Sequence, residues 1–139
     1  MEDFVSYDIA VKLKEKGFKG LCFAYYTNTN DLYFNYSHKA GAKYSDCYLS
    51  HNLMPKDSVI GKFVDAHTIS QILKWLRENH ATHIEISLGG NGWYFEITQY
   101  EYNEEEKEYD CKLITISVIN DSYEQAALSG IEYVIDNLI

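Results

Sequence analysis

Between Ile84 and Val118 the apolar residues recur at every second position in three successive segments: Ile84, Ile86 and Leu88; Trp93, Phe95 and Ile97; Ile114, Ile116 and Val118. His83, Glu85, Ser87, Tyr94, Glu96, Thr98, Thr115 and Ser117 fill the alternate places. A period of two belongs to strands with one buried and one open face. The stretch therefore predicts a three-stranded antiparallel meander that needs cover on one side only. Two flanking segments can supply it. Ile69, Ile72, Leu73 and Leu76, with Trp75 at the edge, recur at helical spacing, as do Tyr123, Ala126, Ala127, Gly130, Ile131, Val134, Ile135 and Leu138. Thr68-Ile69-Ser70-Gln71 has the form of a capping box, and Ser122 precedes Gln125 by three. Gly130 lowers helix propensity by about 1 kcal/mol relative to Ala, which predicts close approach of that helix to the sheet. The ending Leu138-Ile139 predicts a docked C-terminal segment.

The first half shows the same two periods more faintly. Ser6 can cap a helix carrying Ile9, Ala10 and Leu13, and Gly17 stands where a left-handed residue would close it, with Phe18 returning toward Leu13. Leu21, Phe23 and Tyr25, then Leu32, Phe34 and Tyr36, alternate around the turn-prone Thr27-Asn28-Thr29-Asn30-Asp31 and predict a hairpin. In residues 37–67 a short strand around Tyr44–Ser50 and a turn at Met54-Pro55-Lys56-Asp57 are expected. Leu13-Lys14-Glu15 before strands ending Tyr33-Phe34 echoes Leu76-Arg77-Glu78 before strands ending Tyr94-Phe95. Shared supersecondary grammar explains this as well as duplication does.

With 139 residues, 46% of them apolar and 24% charged, the chain suits one folded domain. The expectation is a single α+β domain over residues 1–139, with a mainly antiparallel sheet and helices on one face, in the order α-β-β-(β)-α-β-β-β-α. No run of about 18 apolar residues is present to cross a bilayer. Residues Met1 to Tyr7 lack a basic n-region followed by an apolar stretch, so no secretory signal is expected. Cys22, Cys47 and Cys111 are odd in number and never in a CxxC pair, which points to reduced thiols and a cytoplasmic setting.

Charge is unevenly spread. Through Arg77 there are ten basic and eight acidic residues; from Glu78 onward there are two and thirteen. Phosphate backbones require clustered Lys or Arg, so nucleic acid is a disfavoured partner. Residues 101–110 concentrate the acids: Glu101, Glu104, Glu105, Glu106, Glu108 and Asp110 against Lys107. Three readings fit this segment: a solvated hairpin tip that aids solubility, a docking surface for a basic protein, or a mimic of nucleic-acid phosphates. Tyr26, Tyr33, Tyr94, Tyr100 and Tyr102 are placed opposite the apolar stripe, a platform suited to a protein partner or a second copy of the chain.

Catalytic constellations are weakly represented. His80 and His83 form the nearest approach to a metal pair, but zinc requires three or four ligands and none is spaced to complete it. His80 also suits a helix C-terminus, where it meets the last carbonyls. Cys47 and His51 could pair as thiol and base, but no orienting group or oxyanion site is marked. Gly89-Gly90-Asn91-Gly92 lacks the Lys-Ser/Thr ending of a phosphate loop and precedes a strand, so it reads as a hairpin turn. No cofactor is expected.

Leu13-Lys14-Glu15-Lys16-Gly17-Phe18, Trp75-Leu76-Arg77-Glu78-Asn79-His80, Trp93-Tyr94-Phe95, and Ser122-Tyr123-Glu124-Gln125-Ala126 through Asp136-Asn137-Leu138-Ile139 resemble segments of small uncharacterised proteins of gut anaerobic bacteria, their phages and mobile elements. The resemblance implies an accessory role and carries no catalytic residue. The expected function is thus a non-enzymatic interaction protein, with Glu101, Glu104, Glu105, Glu106, Glu108, Asp110, Tyr94, Tyr100 and Tyr102 as its partner-binding residues. The alternative is a small hydrolase or metal-dependent enzyme using Cys47/His51 or His80/His83.

Overall fold

The computed structural model describes residues 3–22, 24–27, 30–34, 49–50 and 64–139. They belong to two compact units, Met1–Thr68 and Ile69–Ile139. The elements, in chain order, are α1 (Tyr7–Glu15), β1 (Leu21–Cys22), β2 (Ala24–Tyr26), β3 (Leu32–Phe34), β4 (Leu49–Ser50), β5 (Val64–Ala66), α2 (Ile69–His80), β6 (Thr82–Gly89), β7 (Gly92–Asn103), β8 (Glu108–Asn120) and α3 (Tyr123–Asn137). The architecture is α+β, as the two periodicities predicted. No described helix is long and apolar enough to cross a membrane.

In the first unit Ser6 caps α1 by accepting the Ile9 amide, and Gly17 ends it at φ +78°. The Phe18 amide reaches the Leu13 carbonyl and the Gly17 amide that of Lys14, the paired bonds of a Schellman stop. The first expected strand is divided: β1 pairs with β4, while β2 lies between β3 and β5. Its buried phase also differs from expectation. Cys22, Ala24 and Tyr26 are buried while Tyr25 is half-buried, because Ala24 and Tyr26 stand opposite Ala66 and Val64, themselves buried. Tyr26 is therefore a core residue whose hydroxyl donates to the Val5 carbonyl at 2.7 Å, and it belongs to no open platform. The turn at Met54–Asp57 and the Cys47/His51 pair lie outside the described residues.

The second unit is the predicted meander, with strand order β6-β7-β8 and every pair antiparallel. Ile84 stands opposite Ile97 and Ile86 opposite Phe95, and across β8 they continue to Ile114 and Ile116. This face carries α2 and α3, which contribute Ile72, Leu76, Ala126, Ala127, Ile131 and Val134, each fully buried. Gly130 has the predicted role: a β-carbon there would fall 2.9 Å from Ile84 Cγ2. Ser122 caps α3 by accepting the Gln125 amide, and Gln125 Oε1 in return accepts the Asp121 amide. At the C-terminus Val134 and Ile135 are buried and Leu138 and Ile139 half-buried.

Candidate functional site

β7 and β8 outrun β6. Pairing with β6 ends at Thr82 opposite Gln99, and the last bond between them joins the Tyr100 amide to the Ala81 carbonyl. Beyond it residues 100–103 and 108–111 continue as a two-stranded ribbon, so the expected acidic connection is mostly strand and only residues 104–107 form the turn. Asn103 organises that turn. Its Oδ1 accepts the amides of Glu105 and Glu106, its carbonyl accepts that of Lys107, and its Nδ2 donates to Asp110. Lys107 closes the turn in the left-handed region at φ 57°.

Strand alternation sorts the sequence candidates onto different surfaces. Tyr94, Tyr100 and Tyr102 lie on the face away from α2 and α3, and β8 adds Tyr109, Cys111 and Leu113. Tyr102 and Tyr109 stand opposite each other with rings edge to face, 5.1 Å apart. Tyr100, Tyr102, Tyr109 and Leu113 are all exposed, Tyr109 by 67% and Leu113 by 61%. Glu85 and Glu96 face one another on the same side, a like-charge pair that opposes sheet pairing. Glu101 pairs with Asp110 on the reverse face, and Glu108 lies there too. Glu101 and Asp110 join His80, Gln99, Tyr100, Cys111 and Lys112 around an open depression of about 360 Å³. Glu104, Glu105 and Glu106 occupy the tip. The tyrosines and the strand acids thus alternate to opposite sides of one ribbon, with Tyr100 also lining the depression beside Glu101 and Asp110.

His80 and His83 are separated in role. His80 ends α2 with its ring 4.5 Å from that of Trp75, and its carbonyl accepts the Thr82 hydroxyl. His83 is half-buried on the open face, opposite Thr98.

The first unit holds a cluster that sequence reasoning missed. Cys22, Asp65 and His67 bring a sulfur, a carboxylate oxygen and a ring nitrogen within 4.8 Å of one another. Cys22 and His67 are buried, at 2% and 3% exposure, and Asp65 is half-buried. Burial pushes the Cys22 thiol up to about 12; the Asp65 charge and a hydrogen bond to that carboxylate add to it, while an Ala24 backbone hydrogen bond works the other way. This is the reverse of an activated nucleophile, whose thiolate must form near neutral pH. Only the Asp-x-His spacing, two residues on one face of an extended segment, was a sequence signal for the cluster.

Compared with known proteins, no family model matches the chain, and no curated protein and no solved structure matches it.

Proposed function

We propose that this is a non-enzymatic interaction protein of the reducing cytosol, accessory in character, that docks a basic protein partner through the β7–β8 ribbon. The observation that carries the reading is the exposed row Tyr100, Tyr102, Tyr109 and Leu113 on the sheet face away from α2 and α3. Aromatic rings on a paired ribbon offer contact area with little entropy to lose. The acids at the tip and on the reverse face surround that row with negative potential, which speeds encounter with a cationic surface and makes binding salt-dependent. The Glu85–Glu96 pair fits the same picture, since a partner lysine or arginine placed between them would relieve their repulsion.

The test is affinity capture from lysate of the producing cell at low and moderate salt. Wild type is compared with Glu104→Gln/Glu105→Gln/Glu106→Gln/Glu108→Gln and with Tyr102→Ala/Tyr109→Ala. A stoichiometric partner held by wild type, weakened by salt and lost in both variants supports the reading. A partner retained equally by the variants, or no partner at either salt, overturns it.

A further inference from the structure

We propose that Cys22, Asp65 and His67 form a binding site for a borderline-soft divalent transition metal, Zn²⁺ being the best match. The donors are one sulfur, one nitrogen and one oxygen, the set zinc accepts, and three protein ligands leave a fourth position open. Their separations are at most 4.8 Å, against roughly 3.3–3.7 Å between ligands of a tetrahedral zinc with bonds of about 2.0–2.3 Å. Side-chain movements of about 1 Å close that difference. The half-buried Asp65 places the carboxylate on the accessible side, while Cys22 and His67 are embedded.

The surroundings of His67 hold it as an outer shell holds a metal ligand. Its Nε2 lies 3.3 Å from the Gly20 carbonyl. A carbonyl can only accept, so the ring proton resides on Nε2 and the lone pair on Nδ1, the tautomer that a carbonyl-anchored ligand histidine adopts. Phe18 packs edge to face on the ring at 4.5 Å. The backbone is held as well, since the His67 carbonyl accepts the Val5 amide at 3.0 Å. Gly20 permits this arrangement: a β-carbon there would lie 2.8 Å from Phe18 Cζ and 3.2 Å from His67 Cδ2. On the sulfur side the Cys22 Sγ lies within 4.8 Å of an Asp65 carboxylate oxygen. Metal binding forms the metal–sulfur bond, breaks the S–H bond and passes that proton to solvent.

The experiment uses the full chain without a histidine tag, in a Cys47→Ser/Cys111→Ser background, stripped with chelator and titrated with Co²⁺. The expected result is a thiolate-to-cobalt charge-transfer band saturating at one equivalent and displaced by Zn²⁺. Cys22→Ser abolishes the band, and Asp65→Asn weakens binding at least tenfold while leaving circular dichroism unchanged. Zinc raises the melting temperature of the parent more than that of Asp65→Asn, which decides the matter even where Cys22→Ser folds poorly. No band in the parent, a band that survives Cys22→Ser, or equal affinity in Asp65→Asn overturns the proposal.

Discussion

A β-carbon on Gly130 would lie 2.9 Å from Cγ2 of Ile84 and 3.3 Å from the Phe95 ring, so α3 rests on β6 and β7 at a distance only glycine allows. Gly130→Ala should gain about 1 kcal/mol of helix propensity and lose more to overpacking, which typically costs about 1–3 kcal/mol in a dense core. The expected net effect is a destabilisation of about 1 kcal/mol by urea unfolding. Ile84→Leu removes the methyl group at the point of contact. The double variant should therefore be more stable than the sum of the single changes, and strict additivity would show that the contact is not the cause.

Tyr26 contributes a pH dependence of stability at alkaline pH. Burial pushes its hydroxyl above the ordinary value of 10, and the hydroxyl donates to the Val5 carbonyl. Folding therefore retains a proton that the unfolded chain releases near pH 10. The stabilisation is fully present below that pH and is lost as pH rises toward the folded value, at about 1.4 kcal/mol per pH unit for one retained proton. Tyr26→Phe should cost about 1–3 kcal/mol at pH 7, because a buried carbonyl loses its donor. That gap should narrow above pH 10. A gap that stays constant to pH 11 contradicts the assignment.

Much of the second unit was legible because its signals are local. Period-two alternation from Ile84 to Ile116, the Ser122 cap and the glycine in the α3 stripe each specify geometry within a few residues, whereas Leu88 and Val118, expected on the apolar face, are exposed where the β7–β8 register shifts between Trp93 and Phe95. Tyr100-Glu101-Tyr102 continues the alternation of Trp93 to Thr98, so the length of the β7 strand and the opposite orientation of Tyr100 and Glu101 are implicit in the sequence. The first unit resisted reading because its core positions carry small residues. Ala24 and Ala66 face one another at buried positions, and hydrophobicity alone favours the opposite phase. Cys22 and His67 meet through pairing of distant strands, and no local pattern reports such a meeting.

Ala81 joins α2 to β6 with φ at +47°, the left-handed region, while its carbonyl accepts the Tyr100 amide. A β-carbon in that conformation costs roughly 1–2 kcal/mol, partly offset by the lower unfolded-state entropy of alanine relative to glycine. Ala81→Gly should thus stabilise the chain by about 0.5–1 kcal/mol. Ala81→Val should destabilise it, since a β-branched residue fits this region worse. Equal melting temperatures for all three would show that the connection relaxes at no cost.

Asn103 links the ribbon's geometry to its proposed use. Its side chain accepts two turn amides and donates to Asp110, holding the tip glutamates in place and the two strands in register. The residue lies far from the α2–α3 core, so Asn103→Ala should lower global stability by no more than about 1 kcal/mol. Locally the effect should be large. Amide hydrogen exchange at residues 100–111 should accelerate, while exchange at Phe95 and Ile97 should be unchanged. Lys107→Gly, which suits the left-handed turn position, should slow exchange at the same ribbon amides. If partner capture depends on a preformed tyrosine row, Asn103→Ala should weaken it without touching a tyrosine or removing a charge, and Lys107→Gly should not. Full capture by Asn103→Ala despite a loosened ribbon would mean that binding reads charge alone and that the order of the tyrosine face is irrelevant to it.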